Sequence, residues 1–174
     1  SENSNMQPAA KTLGSKKVFE QSLVDYYVSN LPGEKLGEFA KERGLSAATL
    51  KKYKLGLDKE GNFTLPVYDA EGRVRDIRRK QIGKDTISSV GVDVFLFGIQ
   101  DLLANAEIFL TEGEWSKLAL EEQGYSSVGV PGANVFKDEW LPFFRDKKVN
   151  IVFDLDSGGE NGAKRITEKL SSIA

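Results

Sequence analysis

The chain has 174 residues, with 24 Lys and Arg against 26 Asp and Glu, a formal charge of −2, and neither histidine nor cysteine. The missing residue types exclude disulfides, zinc ribbons, cysteine nucleophiles, Ser-His-Asp triads and histidine metal sites. Any chemistry must therefore rest on carboxylates, Lys, Arg, hydroxyls and the backbone, and a carboxylate-only metal site selects hard cations such as magnesium or manganese. The length suits one ordinary domain or two small ones. At 40% hydrophobic and 29% charged the chain can build a core. No apolar run approaches bilayer length and no signal-peptide pattern is present. A soluble protein of the cytoplasm or nucleoid, with no membrane partner, is the expectation.

Residues 1–16 are polar, small and aperiodic, and are expected to be a flexible leader. From Lys17, the spacing of Phe19, Leu23, Tyr26 and Tyr27 predicts a helix that "NLPG" stops. A second helix fits Lys35 to Arg43, with Leu36, Phe39 and Ala40 inward and Gly44 past its end. Ser46 caps a third, "AATLKKYK", whose Lys51, Lys52 and Lys54 are expected to meet solvent. "NFTLPVYDAEGRVRDIRRK" then reads as strand, turn, strand, with Asp69 to Gly72 as the connection. Its arginines alternate onto both faces, which predicts a thin sheet exposed on one side. "DTISSVG" reads as a further strand and "LFGIQDLLANA" as a short helix.

From Glu107 the chain alternates strand and helix. "AEIFLTEG" is a strand; "EWSKLALEEQG" is a helix with Trp115, Leu118 and Ala119 inward; "SSVGVPG" is a strand and loop. "NVFKDEWLPFFRD" is a helix, "VNIVFDLD" a strand and "ENGAKRITEKLSSIA" a helix. Such alternation implies a parallel sheet flanked by helices. The predicted fold is α/β over 105–174, preceded over 17–104 by an α+β part made of a small helical and a basic β-hairpin subdomain.

Sites in parallel sheets lie at the carboxyl ends of the strands. There the sequence places Glu112-Gly113-Glu114, then Pro131 to Asn134, then Asp154 and Asp156 ahead of a turn at Gly158 and Gly159. If the first and third strands are neighbours, their acids converge. Converged carboxylates repel and raise one another's pKa, so a cation must hold them ionised, and oxygen ligands favour magnesium. Upstream, Arg73 to Lys84 carries six basic residues and one acid, the pattern of a polyanion site or, taken alone, equally of a solvated strand face. Metal-holding carboxylates beside a basic strand equip a protein for phosphoryl or nucleotidyl transfer. Singly, an Asp-x-Asp is most often a turn former or helix cap. In this order, each acid at a β-to-α junction, the pieces are far more specific.

Those residues resemble a known family. "FLTEGEWSKLAL" and "NIVFDLDSGGENGAKRI" are similar to the two acidic motifs of the TOPRIM fold, shared by primases, topoisomerases and some nucleases. "VPGAN" fits the loop between them, and the "TEGE" form is similar to that of phage-type and mitochondrial primase–helicases. "LPVYDAEGRVRDIRRKQIGKDTISSVGVDVFLFGIQDL" resembles the segment that precedes TOPRIM in primases, so the resemblance spans roughly residues 63 to 170. It implies a DNA primase catalytic core that makes RNA primers on a single-stranded DNA template from ribonucleoside triphosphates. Magnesium or manganese is the implied cofactor, and a replicative helicase, in the same chain or another, the implied partner. Glu112 matches the motif glutamate, a metal ligand or general acid/base, and Asp154 and Asp156 match the magnesium-binding pair. Arg78, Arg79 and Lys84, with Lys80 a lesser candidate, fall where the family holds template or triphosphate. Gly132 and Asn134 are the loop's candidates for the nucleotide. The alternatives are a TOPRIM nuclease and an inactive nucleic-acid-binding or helicase-adaptor module. Ser116 departs from the family by standing where many relatives have an acid, with Glu114 a candidate substitute. The cysteine-rich zinc module of many primases is missing, and the family normally continues beyond the helix that ends here at Ala174, which reads as a fragment or a minimal version.

Overall fold

A computed structural model of the chain describes residues 11–13 and 16–174. They form two compact units: one runs to Glu42 and takes in Ser46–Val94, the other comprises Arg43–Leu45 and Phe95–Ala174.

In the first unit, β1 (Lys11–Leu13) and β2 (Lys16–Val18) pair antiparallel, so part of the expected leader is strand. The rest of the expected leader lies outside the described residues. The first helix also starts later than its apolar spacing suggested. Phe19 donates its N–H to the Val74 carbonyl and Glu20 is extended, so α1 covers Gln21–Ser29 and buries Leu23, Val24 and Tyr27. Helix α2 (Gly33–Arg43) ends at Gly44, whose φ of 65° takes the left-handed turn that glycine permits. Helix α3 (Ala47–Lys52) is capped by the Ser46 hydroxyl, which accepts the Thr49 N–H at 3.1 Å.

Strands β3 (Gly56–Leu57), β4 (Phe63–Tyr68) and β5 (Val74–Lys80) form an antiparallel sheet in that order. Phe19, Leu23, Val24, Tyr27, Val74 and Ile77 pack as one cluster. The sheet is not thin and exposed. Five successive residues of β4 are buried, as are the neighbours Asp76, Ile77 and Arg78 of β5, so both faces are covered. Arginine stems can lie in such an interior when their guanidiniums find acids and hydroxyls there. The expected strand after β5 reduces to one bridge, Arg79 to Ile87.

Two turns of this unit have the same construction. "LDKEGNF" and "YDAEGRV" each place an Asp whose Oδ1 accepts two backbone N–H groups: from Glu60 and Asn62 at Asp58, and from Glu71 and Arg73 at Asp69. Gly61 and Gly72 supply the positive φ in each.

The second unit holds α4 (Ile99–Ala104), β6 (Glu107–Glu112), α5 (Gly113–Glu122), β7 (Ser127–Val130), a 3-10 helix (Asp138–Phe144), β8 (Lys148–Val152) and α6 (Ser157–Leu170). The sheet is parallel with order β7-β6-β8, which is the expected α/β class with β6 at its centre. This unit starts before residue 105, because Phe97 bridges Gly129 of β7 and α4 buries Ile99 and Leu102. The helix expected after "VPGAN" is a 3-10 segment beginning at Asp138, with Pro142 inside it; proline has no N–H for a continued α-helix. Helix α6 begins at Ser157, so Gly158 and Gly159 belong to its first turn and not to a preceding loop.

The inward face of α5 also differs. Glu114, Lys117 and Leu118 are buried, Trp115 is half-buried under the Arg43 guanidinium, and Ala119 is exposed. Apolar spacing cannot foresee Lys117, which is fully buried yet paired with Asp101 at 2.5 Å and with Glu121. Its stem explains the glycine of "LFG". Gly98 has a φ of 84°, and a Cβ there would lie 2.5 Å from Lys117 Cε.

Candidate functional site

The last rung between β6 and β8 joins Thr111 to Val152. Glu112 follows it by one residue and Asp154 by two, on neighbouring parallel strands about 4.8 Å apart. The strand adjacency that the convergence of acids required is therefore present. Glu112 stands at the N-cap position of α5 without using its side chain as a cap. It is half-buried and Asp154 is exposed, and neither carboxylate has a hydrogen-bond or ion-pair partner among the described residues.

The backbone at these junctions is closely packed. Gly113 turns from strand to helix with a φ of 76°. Its carbonyl receives the Thr111 hydroxyl at 3.3 Å, and a Cβ on Gly129 of β7 would come within 2.5 Å of the same oxygen. Beyond β8, Asp156 caps α6: its Oδ1 accepts the Gly159 N–H at 2.7 Å and its carbonyl accepts the Glu160 N–H at 2.9 Å. The loop expected to bind nucleotide packs against α6. Ala133 is buried where a Cβ on Gly162 would meet it, Asn134 accepts a hydrogen bond from Arg165, and Gly132 faces Val135. Ser116 is exposed and Glu114, its candidate substitute, is buried on the inward face of α5. Among the described residues, no three acids gather closely enough to form a ready-made metal cage.

The basic candidates lie in the first unit, and most are engaged there. Arg79 donates from Nε to Asp58 Oδ2 at 3.2 Å and from a terminal nitrogen to the Ile77 carbonyl at 3.1 Å and Ser89 Oγ at 2.7 Å. The same guanidinium bonds the Tyr27 phenol, whose pKa burial nonetheless pushes up. Arg78 is 7% exposed and reaches Ser88 Oγ at 2.6 Å. Arg73 pairs with Asp69 and Glu71, and Arg75 with Asp69 and Asp93. Lys80 donates to the Lys84 carbonyl, leaving the Lys84 ammonium exposed. The sequence reading missed Asp58, whose side chain is 1% exposed and also accepts from Asn62. The repeated D-x-E-G pattern was the signal that could have marked it.

Set beside known proteins, the chain matches no family model. It is 33% identical over 78 residues to an uncharacterized protein, MG010, of Mycoplasma genitalium, covering 42% of this chain and 36% of that one. It is 36% identical over 69 residues to the Gene 57 protein of Mycobacterium phage D29, covering 37% and 43%. Solved structures extend the likeness across most of the chain. The Aquifex aeolicus primase, with its zinc-binding and RNA polymerase domains, superposes with a TM-score of 0.71 at 20% identity over 86% of this chain and 50% of that one. The primase fragment of the bacteriophage T7 primase–helicase gives 0.69 at 20% identity over 96% and 70%. The fold is that of a primase catalytic core. A third such core, a DnaG catalytic domain bound to single-stranded DNA, gives 0.68 at 19% identity over 86% and 66%. The chain thus spans less than half of the two curated relatives and half of the Aquifex primase structure. No helix among the described residues is long and apolar enough to cross a membrane.

Proposed function

We propose that this chain is the catalytic part of a DNA primase, joining ribonucleotides on single-stranded DNA. The observation that carries the reading is the adjacency of β6 and β8, whose carboxyl ends lead into Glu112 and Asp154 at the same edge of a primase-core sheet. Both are hard oxygen donors with no internal partner, which suits magnesium or manganese. When bound, the ion would neutralise triphosphate charge and favour attack of a 3′-hydroxyl on the α-phosphate, with pyrophosphate leaving. Glu112 and Asp154 would hold the ion, and Glu112, the less exposed, could also receive the hydroxyl proton. Of the basic candidates Arg78, Arg79, Lys80 and Lys84, only Lys84 is exposed, and it would be the one to meet a phosphate.

Single-stranded DNA as template is supported by the similar catalytic domain bound to it, and a helicase partner by the similar T7 primase–helicase fragment. The test is primer synthesis by the full-length protein from ribonucleoside triphosphates, magnesium and single-stranded DNA. A dinucleotide or longer product, lost in Asp154→Asn, supports the reading. Cleavage of DNA without added nucleotides would point to a nuclease. DNA binding with no product and no manganese binding would favour a binding module without chemistry.

A further inference from the structure

The chain over 81–89 leaves the end of β5 and folds back along it. Its tip, 81–85, is exposed, Lys84 included. Ile82 and Ile87 are 62% and 60% exposed, so no apolar core gives this loop its shape. Polar bonds do. Lys80 donates to the Lys84 carbonyl, the Lys84 N–H donates to the Gln81 carbonyl at 3.2 Å, and Gln81 Nε2 donates to Asn62 Oδ1 at 2.6 Å. The returning arm is tied to β5 itself. Arg79 and Ile87 exchange both backbone bonds, at 2.8 and 3.0 Å. Arg78 donates to Ser88 Oγ at 2.6 Å, and Ser89 Oγ donates to the Ile77 carbonyl at 2.9 Å. The last tie is the Ser89 N–H, which donates to Asp76 Oδ1 at 2.9 Å.

Asp76 is the one acid in the run from Arg73 to Lys84. It is 1% exposed, and its Oδ2 is buried with no hydrogen-bond partner among the described residues. A buried carboxylate is costly to keep, and an apolar residue on a covered strand would avoid that cost. What the carboxylate does hold is the arm of the loop that carries Lys84. We infer that Asp76 is a positioning residue: through the Ser89 N–H it fixes the returning arm of the loop, and so sets where the Lys84 ammonium meets a phosphate of the single strand. The inference rests on the reading above, in which Lys84 makes that contact. It gives the acid of the basic run a task, and it makes the shape of an exposed loop depend on a buried group.

The test follows binding of a single-stranded oligothymidylate to the full-length protein by fluorescence anisotropy over a range of salt, with hydrogen exchange of the Ser89 amide beside it. Asp76→Val takes away the acceptor and suits a buried strand position, and Asp76→Ala stands in for it should Val not pack. Removing a negative charge would by itself strengthen binding to DNA, so a loss marks a displaced Lys84. Lys84→Ala should weaken binding about fivefold at 0.1 M salt, the share of one phosphate contact to a single strand, and lower the salt slope accordingly. Asp76→Val should weaken it as much, with the same change of slope and faster exchange at Ser89. The double variant should bind no more weakly than Lys84→Ala alone, because both changes remove one contact. Asp76→Asn keeps an acceptor oxygen and should hold affinity within about twofold of wild type. Losses that add in the double variant, or an Asp76→Val that binds like wild type or tighter, overturn the inference and leave the contact at Lys84 standing. A Ser89 amide that exchanges freely in the wild type overturns it without any variant. Lys84→Ala with wild-type affinity and slope removes the phosphate contact and this inference with it, while primer synthesis still decides the primase reading.

Discussion

The acids at the ends of β6 and β8 and the cations along β5 are the two charged features of this molecule, and the structure treats them in opposite ways. On β5 and its flanks, Arg73, Arg75 and Arg79 are tied to Asp69, Glu71, Asp93 and Asp58, and Arg78 is buried against Ser88. At the carboxyl edge of the parallel sheet, Glu112 and Asp154 have no such partner among the described residues. The reason is position along a strand. A side chain within a covered sheet has neighbours across both edges and must satisfy its charge among them, because an unpaired buried charge is very costly. A side chain where the strand runs out meets solvent and needs no internal partner. A run of six cations in sequence therefore overstates the positive charge on offer.

The sharpest test of this contrast is Asp154→Asn. Primer synthesis should fall by roughly 10² to 10³-fold while the melting temperature barely moves, since the group is exposed and unpartnered. A large loss of stability would instead make Asp154 structural and erase the difference between the two regions. Next is Asp58→Ala. It removes the acceptor for Arg79 Nε, Asn62 Nδ2 and two backbone N–H groups, and should cost about 3 kcal/mol in denaturant unfolding while leaving manganese affinity unchanged. A cost under about 0.5 kcal/mol would show that Arg79 is not held from within.

Smaller effects separate the cations from one another. Lys84→Ala should reduce the salt slope of single-stranded DNA binding by about one, with stability unchanged. Arg79→Ala should do the reverse, lowering stability and sparing the slope. An exchange of those outcomes would break the distinction between spent and available cations. The smallest effect is at acid pH. Burial pushes the Asp69 carboxyl up, but the Arg73 N–H and guanidinium, with the Glu71 N–H, outweigh it and hold its pKa below the ordinary value of 3.8. A depressed folded pKa means the contribution is complete above about pH 4 and is lost as pH falls through the folded value. Asp69→Asn should therefore flatten the stability profile below pH 4 and leave its shape above pH 5 unchanged.

Much of the fold was legible from local chemistry. Gly44 after α2, Ser46 before α3 and the Asp69 to Gly72 turn announce themselves because caps and turns depend on a few adjacent residues. The β/α alternation after Glu107 did the same for the parallel sheet. Errors arose where a distant partner overrode the local pattern. Phe19 bonds Val74, and so delays α1. Lys117 goes inward because Asp101 and Glu121 wait there, and Trp115 and Ala119 give up the face assigned to them.

By itself the sequence determined which residue types chemistry could use, that acids stand at β-to-α junctions, and that the strands bearing them belong to a parallel sheet. Only the tertiary structure decided that β6 and β8 are neighbours, that Arg79 answers to Asp58, and that Asp156 spends one oxygen on α6 while Asp154 spends none. Periodicity and caps are set by residues three or four apart, so the sequence displays them. Strand order and ion pairing join residues tens of positions apart, and only the folded chain brings those together.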